Sequence, residues 1–327
     1  MKLTDNDMVT LLLTTSLGID DKSIKPLSLG AWNKLVRSIV SSQIKEPRAL
    51  LELDEIQIKN IFELREEDAR IIYQLLTRGA FLAIDLEDLN KRGIYTLCRG
   101  DKFYPKLIKQ KLKENAPPVI FYAGNIEVLN NTSIGMVGSR NIDENILKNT
   151  ILISEKAVNE GLSIVSGGAK GVDSSSETAA FNVGGSYISF ICDSLVARIK
   201  KKEVRDRLET ERCLYLTADS PSFSFTGWRA MARNKYIYSL AKATFILNSD
   251  YQKGGTWEGA VENLKKKLSL PYVVDNGNKG NTALIDKGCK AIDINKEFII
   301  NDLCENKSQS NNQENEIFKQ TNLFLEI

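Results

Sequence analysis

The sequence predicts an α/β chain organised on a doubly wound, mostly parallel sheet, with a small helical domain before it and a disordered tail after it. Three observations lead there. From about residue 133, short apolar runs alternate with amphipathic helical patterns, the rhythm of parallel strands joined by crossover helices. Before residue 99 the apolar spacing is almost wholly helical. Residues 306–315 carry no apolar side chain and can bury nothing. The expected division is a helical domain at 1–98, a sheet domain at 99–300, and a linker ending in an apolar peptide at 301–327.

Each element has its own signal. Apolar residues at 8–13, 32–40 and 71–76 recur at helical spacing and place helices in the first domain. Between 86 and 98 a short helix ends at Gly93 and gives way to a strand. Residues 100–105 read as a turn, 106–113 as a short basic helix and 116–124 as an extended run. Strands are then expected at 133–137, 162–165, 186–191, 213–216, 244–247 and 271–274, separated by helices at 145–160, 173–182, 195–208, 230–241 and 256–268.

Composition narrows the chemistry. With 327 residues, 42% of them hydrophobic, a sizeable core is available. A net charge of only +2 requires any polyanion site to be a local patch. Cys98, Cys192, Cys213, Cys289 and Cys304 are odd in number and widely spaced, which reads as buried thiols in a reducing cytosol. Asp5 and Asp7 stand where a signal peptide wants positive charge, and no apolar run approaches the roughly 18 residues of a membrane span, so a cytoplasmic protein without membrane contact is expected. Histidine is absent. That removes Ser-His-Asp and Cys-His nucleophiles, imidazole bases and His-ligated metals together, and turns the expectation toward binding with neither metal nor cofactor.

In a doubly wound sheet the loops after different strands converge at the carboxyl ends. Four segments share that position. Ser166, Gly167, Gly168, Lys170 and Gly171 form a glycine-rich turn ahead of a helix, a shape that lets the backbone approach phosphate closely. Gly138, Ser139 and Arg140 follow the 133–137 strand, where Arg140 forks onto phosphate, caps a helix or pairs with Asp143. Lys253, Gly254 and Gly255 follow the 244–247 strand. In 223–236, Phe225 and Trp228 are interleaved with Arg233, Asn234 and Lys235, as in proteins that stack single-stranded bases on rings while cations hold phosphates. The bland reading of that segment is a helix with Met231, Tyr236 and Leu240 in the core. The basic runs 198–202 and 265–267 read as solvated helix faces. Glu177 puts a negative charge beside the glycine-rich turn that DNA binding does not explain.

Taken in order, 101–105, 117–125, Val137-Gly138-Ser139-Arg140, 166–173 and 233–237 resemble the DprA/Smf family of DNA-processing proteins. The resemblance implies an extended Rossmann-like domain that binds single-stranded DNA in a basic pocket, forms a homodimer, hands DNA to a RecA-type recombinase in transformation, recombination or repair, and has no catalysis of its own. It implies phosphate contacts for Arg140, Arg233 and Lys235, with Gly167, Gly168 and Gly171 lining the pocket. Two departures stand out: Ser174-Ser175-Ser176-Glu177 replaces the family's histidine-bearing continuation, and Arg-Asn-Lys replaces Arg-Asn-Arg.

Two further readings compete. Gly254-Gly255-Thr256 with Glu258 loosely resembles the loop of lysine-decarboxylase-like phosphoribohydrolases, which makes Glu258 with Arg140 the alternative catalytic pair of a nucleotide hydrolase or nucleotide sensor. In the tail, Gln320, Leu323 and Phe324 resemble the peptide that hooks repair proteins to the bacterial sliding clamp, while folding back on the body is the other reading.

Overall fold

The computed structural model describes residues 3–21 and 23–305. Five helices come first: α1 (Asp5–Thr14), α2 (Leu29–Ser41), α3 (Glu55–Ile61), α4 (Glu66–Leu76) and α5 (Gly79–Lys91), with a 3-10 turn at Pro47–Glu52. Local chemistry sets their starts. Thr4 Oγ1 accepts from the Asp7 amide at 3.2 Å while Asp7 Oδ2 accepts from the Thr4 amide at 2.9 Å, and Asp54 with Gln57 repeats this reciprocal box at α3. Arg78, between α4 and α5, is buried. Its guanidinium donates to the carbonyls of Leu12, Thr15 and Leu17, satisfying acceptors that the end of α1 leaves open.

The sheet has nine strands. The chain runs through β1 (Tyr95–Cys98), α6 (Lys106–Leu112), β2 (Val119–Gly124), β3 (Ser133–Val137), α7 (Glu144–Asn159), β4 (Ser163–Ser166), α8 (Val172–Asn182), β5 (Tyr187–Phe190), α9 (Leu195–Ile199), α10 (Lys202–Leu208), β6 (Cys213–Thr217), α11 (Gly227–Leu240), β7 (Ala243–Ile246), α12 (Gly254–Lys266), β8 (Leu270–Val274), α13 (Lys279–Asp286), β9 (Lys290–Ile292) and α14 (Ile300–Glu305). Strand order is β1-β2-β6-β5-β4-β3-β7-β8-β9, parallel from β6 to β9 and antiparallel at β1 and β2. Both faces are covered. Ile134, Ile164, Tyr187 and Phe245 point into one core with α7, α8 and the N-terminal helices, and Val137, Val165, Ile188 and Ile246 into the other with α6, α11 and α12.

Four departures from the sequence reading have physical causes. β1 already belongs to the sheet, so residues 95–98 fall on its side of the expected 98/99 boundary. The first core continues without a break from Leu11 and Trp32 to Val119 and Phe121. The expected 195–208 helix is two helices, because Lys201 is extended (φ −69°, ψ 132°). In one straight helix Val204 would lie on the side opposite Leu195, and the break brings both to the interior. Residues 300–305 are helical where composition places linker, since the Glu160 carboxylate accepts from the amides of Ile300 (3.1 Å) and Asn301 (2.8 Å), a cap supplied from far along the chain. The clamp-like residues Gln320, Leu323 and Phe324, with the rest of the tail from 306, lie outside the described residues. α13 and β9 were not anticipated from the sequence.

Replacing Arg78 by Met keeps the aliphatic stem and strands three buried carbonyls. The expected loss is about 3 kcal/mol of unfolding free energy, read as a lower urea midpoint.

Candidate functional site

The winding direction reverses between β3 and β7. Brought together at their carboxyl ends are the turn after β3, the turn after β4, the segment after β6 and the loop after β7. A cleft of about 540 Å³ opens there. Gly138, Ser139, Arg140, Phe225, Arg233, Asn234, Lys253, Gly254 and Gly255 all line it. The Arg140 guanidinium lies 4.8 Å from the centre of the Phe225 ring, joining the turn after β3 to the segment after β6. Asp143 is engaged elsewhere, accepting from the Ile146 amide at 2.8 Å to cap α7. Gly254 (φ +78°) and Gly255 open α12, and no side chain caps that helix. Its free amides and positive dipole end therefore meet the cleft.

The glycine-rich turn is mostly a packing device. Ser166 is fully buried and donates to the Met136 carbonyl at 2.7 Å. A Cβ on Gly167 would lie 1.6 Å from Nη1 of Arg233, and one on Gly171 (φ +89°) would lie 2.3 Å from the Ser139 carbonyl oxygen. The Gly168 amide donates to Glu177 Oε1 at 3.0 Å, and the Gly168 carbonyl accepts from Arg198 Nη1 at 3.1 Å. Arg198 also pairs with Asp193 at 2.7 Å, so it is a brace for this turn and not the solvated side chain that its basic run suggests. Lys170 is exposed, and of the turn and its helix only Ala169 and Asp173 line the cleft.

Glu177 is buried, and desolvation raises its carboxyl to about 7, with the Asp173 carboxyl adding to the rise. Burial raises Asp173 as well. Near neutral pH the negative charge that the sequence places near the turn is thus reduced by partial protonation.

α11 divides its residues by face: Trp228 and Met231 are exposed, as are Phe223 and Phe225 in the segment before it, whereas Tyr236, Ile237 and Leu240 are core. Arg233 is buried and donates to the Phe190 carbonyl, while Asn234 Nδ2 donates to the Gly255 carbonyl at 2.8 Å and fastens the start of α12. Lys235 does not line the cleft. Desolvation lowers its pKa, and its ammonium sits 5.0 Å from the Tyr236 ring centre. Consecutive helical residues point about 100° apart, so the three side chains cannot share one direction. Arg229, which sequence reasoning missed, lies 4.3 Å from the Phe223 ring centre and 5.3 Å from that of Trp228. Asn141, Asn248 and Asp250 also line the cleft and carry no motif by which to be found. Glu258 is exposed on α12 and is not among the lining residues, so the alternative pair with Arg140 is not assembled there.

A carboxyl raised by folding favours the folded state below its unfolded pKa and loses that contribution as pH rises through the folded value. Glu177→Gln is therefore expected to be more stable than the parent at pH 8, by roughly 2–3 kcal/mol, with the gap closing as pH falls from about 7 toward 4.5. Thermal melts at pH 5 and pH 8 measure it.

Comparison with known proteins identifies the family and the fold. The family described as DNA recombination-mediator protein A matches residues 95–303. DNA processing protein DprA of Streptococcus pneumoniae is 28% identical over 190 residues, covering 57% of this chain and 67% of that protein. Protein Smf of Borreliella burgdorferi is 25% identical over 221 residues, covering 64% and 69%. Among solved structures, DprA of S. pneumoniae superposes with a TM-score of 0.63 at 21% identity over 89% of this chain and 95% of that one. DNA processing protein A of Helicobacter pylori, whose structure concerns its single-stranded DNA binding mode, gives 0.51 at 22% identity over 65% and 94%. With the family matched from β1 into α14 and the same fold in two of its members, this chain belongs to the DNA recombination-mediator protein A family, the DprA/Smf proteins.

Proposed function

We propose that the chain binds single-stranded DNA through the cleft between β3 and β7 and acts in DNA uptake, recombination or repair by passing the strand to a RecA-type recombinase. The observation that carries the reading is Arg140 stacked on the exposed Phe225 at the edge of a cleft that also contains Lys253 and the uncapped start of α12. Two cations, free helix amides and an accessible ring are what a phosphate with its neighbouring base requires. Asp250 and the buried Asp173 also line the cleft, so the attraction for phosphate is confined to the cations and helix amides named. Phosphate contacts are assigned to Arg140, Lys253 and the amides of Gly254 and Gly255, and stacking to Phe225; Trp228 is exposed on α11 but does not line the cleft. Arg233, Asn234 and the 166–171 turn shape the cleft from behind. Lys235 lies outside this assignment.

The protein is read as a cytoplasmic, non-catalytic homodimer. Among the described residues no helix is long and apolar enough to cross a membrane. The nucleotide-hydrolase reading has no supporting geometry, because Glu258 stands outside the cleft.

The affinity for an oligo-dT strand is expected to fall with salt with a log–log slope of about −0.7 per phosphate neutralised, so two or three contacts give roughly −1.4 to −2.1. Gel shifts over a salt series measure the slope, and a flat response overturns the phosphate assignment. Arg140→Ala and Lys253→Ala are each expected to weaken binding about tenfold and to leave the melting temperature within about two degrees, since both side chains are exposed. Unchanged affinity in both variants would place the DNA elsewhere.

A further inference from the structure

At the amino edge of the sheet, away from the cleft, a cavity of about 370 Å³ opens between the turn before α6, the start of that helix and the 3-10 turn Ile126–Asn130. The buried Ile188 and Leu240 lie at its floor, and Ser133, the first residue of β3, stands at one side. Phe103, Leu107, Ile126 and Leu129 line it while staying partly exposed, so they present apolar surface to whatever enters. The charged side chains among its described lining residues are Lys102 and Lys106, both exposed. Glu127, in the same 3-10 turn, does not line it and accepts from Asn130 Nδ2. Other cavities mix signs: one of about 200 Å³ on the far side of α11 has Asp219 beside Arg229, and the outer face of α7 has Lys148 with Glu155.

The described residues end close by. Cys304, next to last in α14, lies beside Lys242 and Ala243, and the Lys242 amide donates to the Ser133 carbonyl at 3.0 Å. α14 packs on one face of the sheet and the cavity opens on the other, at the same edge. The eleven residues 306–316 span roughly 18 Å on average and up to about 40 Å when extended, enough to round one edge of a sheet. What they lead to matches the cavity in chemistry. Glu314 and Glu316 stand directly ahead of Ile317 and Phe318, so two carboxylates precede an apolar pair, as two cations ring an apolar hollow. Burial of the aromatic ring supplies most of the attraction, exposed ion pairs set its direction, and the tether raises the local concentration to the order of millimolar.

We propose that residues 314–318 fold back into this cavity, with Phe318 among Phe103, Leu107, Ile126 and Leu129 and the two carboxylates at Lys102 and Lys106. The apolar peptide that the sequence places after the linker is then a ligand of this chain's own body. Gln320, Leu323 and Phe324 follow within a few residues, so a docked anchor holds the clamp-like residues near the body. The inference does not depend on the single-stranded DNA reading, since the cavity and the cleft lie at opposite ends of the strands.

Chymotrypsin cleavage after Phe318 in the full chain, followed by mass spectrometry, tests this. The bond is expected to be cut about tenfold more slowly than in a free peptide of residues 306–327, the ratio that a millimolar effective concentration gives against a peptide affinity of about 0.1 mM. Lys102→Glu combined with Lys106→Glu changes two exposed side chains, leaves the core intact and is expected to raise the rate about fivefold. Glu314→Lys combined with Glu316→Lys is expected to do the same, measured against a free peptide with those two changes. All four together are expected to bring back slow cutting. A parent chain cut as fast as the free peptide overturns the docking. Slow cutting that both charge reversals leave unchanged, or that the fourfold variant fails to restore, overturns this cavity as the site. Protection that rises with protein concentration overturns the intramolecular assignment, because a second copy then supplies the cavity.

Discussion

The close approach of the Arg233 guanidinium to the backbone of Gly167 governs the carboxyl ends of this sheet. A side chain from α11 crosses the end of β5, donates to the Phe190 carbonyl and lies where any Cβ on residue 167 would stand. That single packing demand explains the glycine, fixes the height of the turn after β4, and sets α11 against the strand ends so that its two faces open on different cavities. The charge lies near Asp173 of α8, and Arg233 opposes the rise that burial imposes on the Asp173 carboxyl.

A second layer holds the first. Glu177 accepts the Gly168 amide, Arg198 donates to the Gly168 carbonyl, and Asp193 steadies Arg198. The turn is thus gripped through its backbone by side chains from α8 and α9, leaving its outer surface unencumbered. Rigidity supplied from behind is what a binding surface needs if the cost of ordering it is not to be met each time a strand arrives. The N-terminal helices contribute at longer range, since their core is continuous with β2, and through β2 with β6.

Much of this was legible in the sequence. The strand–helix rhythm gave the parallel sheet because buried strands and their crossover helices carry distinct periodicities, and the convergence of loops followed from topology alone. Arg140 and the 253–255 loop were placed at the cleft because each follows a recognisable strand, and Phe225 was singled out because aromatics there are interleaved with cations. What escaped notice depended on distances through space. Arg198 looked solvated because its run is basic, and only the fold brings it to Gly168. Lys235 looked equivalent to Arg233 because they are two apart, and only the helix turns them away from one another. The break at Lys201 and the cap that Glu160 offers α14 likewise depend on partners far along the chain. Arg229 was passed over because its contact with Phe223, six residues earlier, appears only in space, although Trp228 beside it is a readable signal.

The proton on Glu177 has a wider meaning in a chain without histidine. Most proteins gain or lose several surface charges between pH 6 and 8 as their imidazoles titrate. Here that source is missing, so the outer electrostatic field that a polyanion meets stays nearly constant over the same interval. The groups that burial brings near neutrality are instead interior ones: the Glu177 carboxyl, raised to about 7 under the turn after β4, and the Lys111 ammonium, lowered to about 8. Mild acidification of the surroundings therefore changes the outer charge little and falls first on the carboxyl beneath the turn after β4.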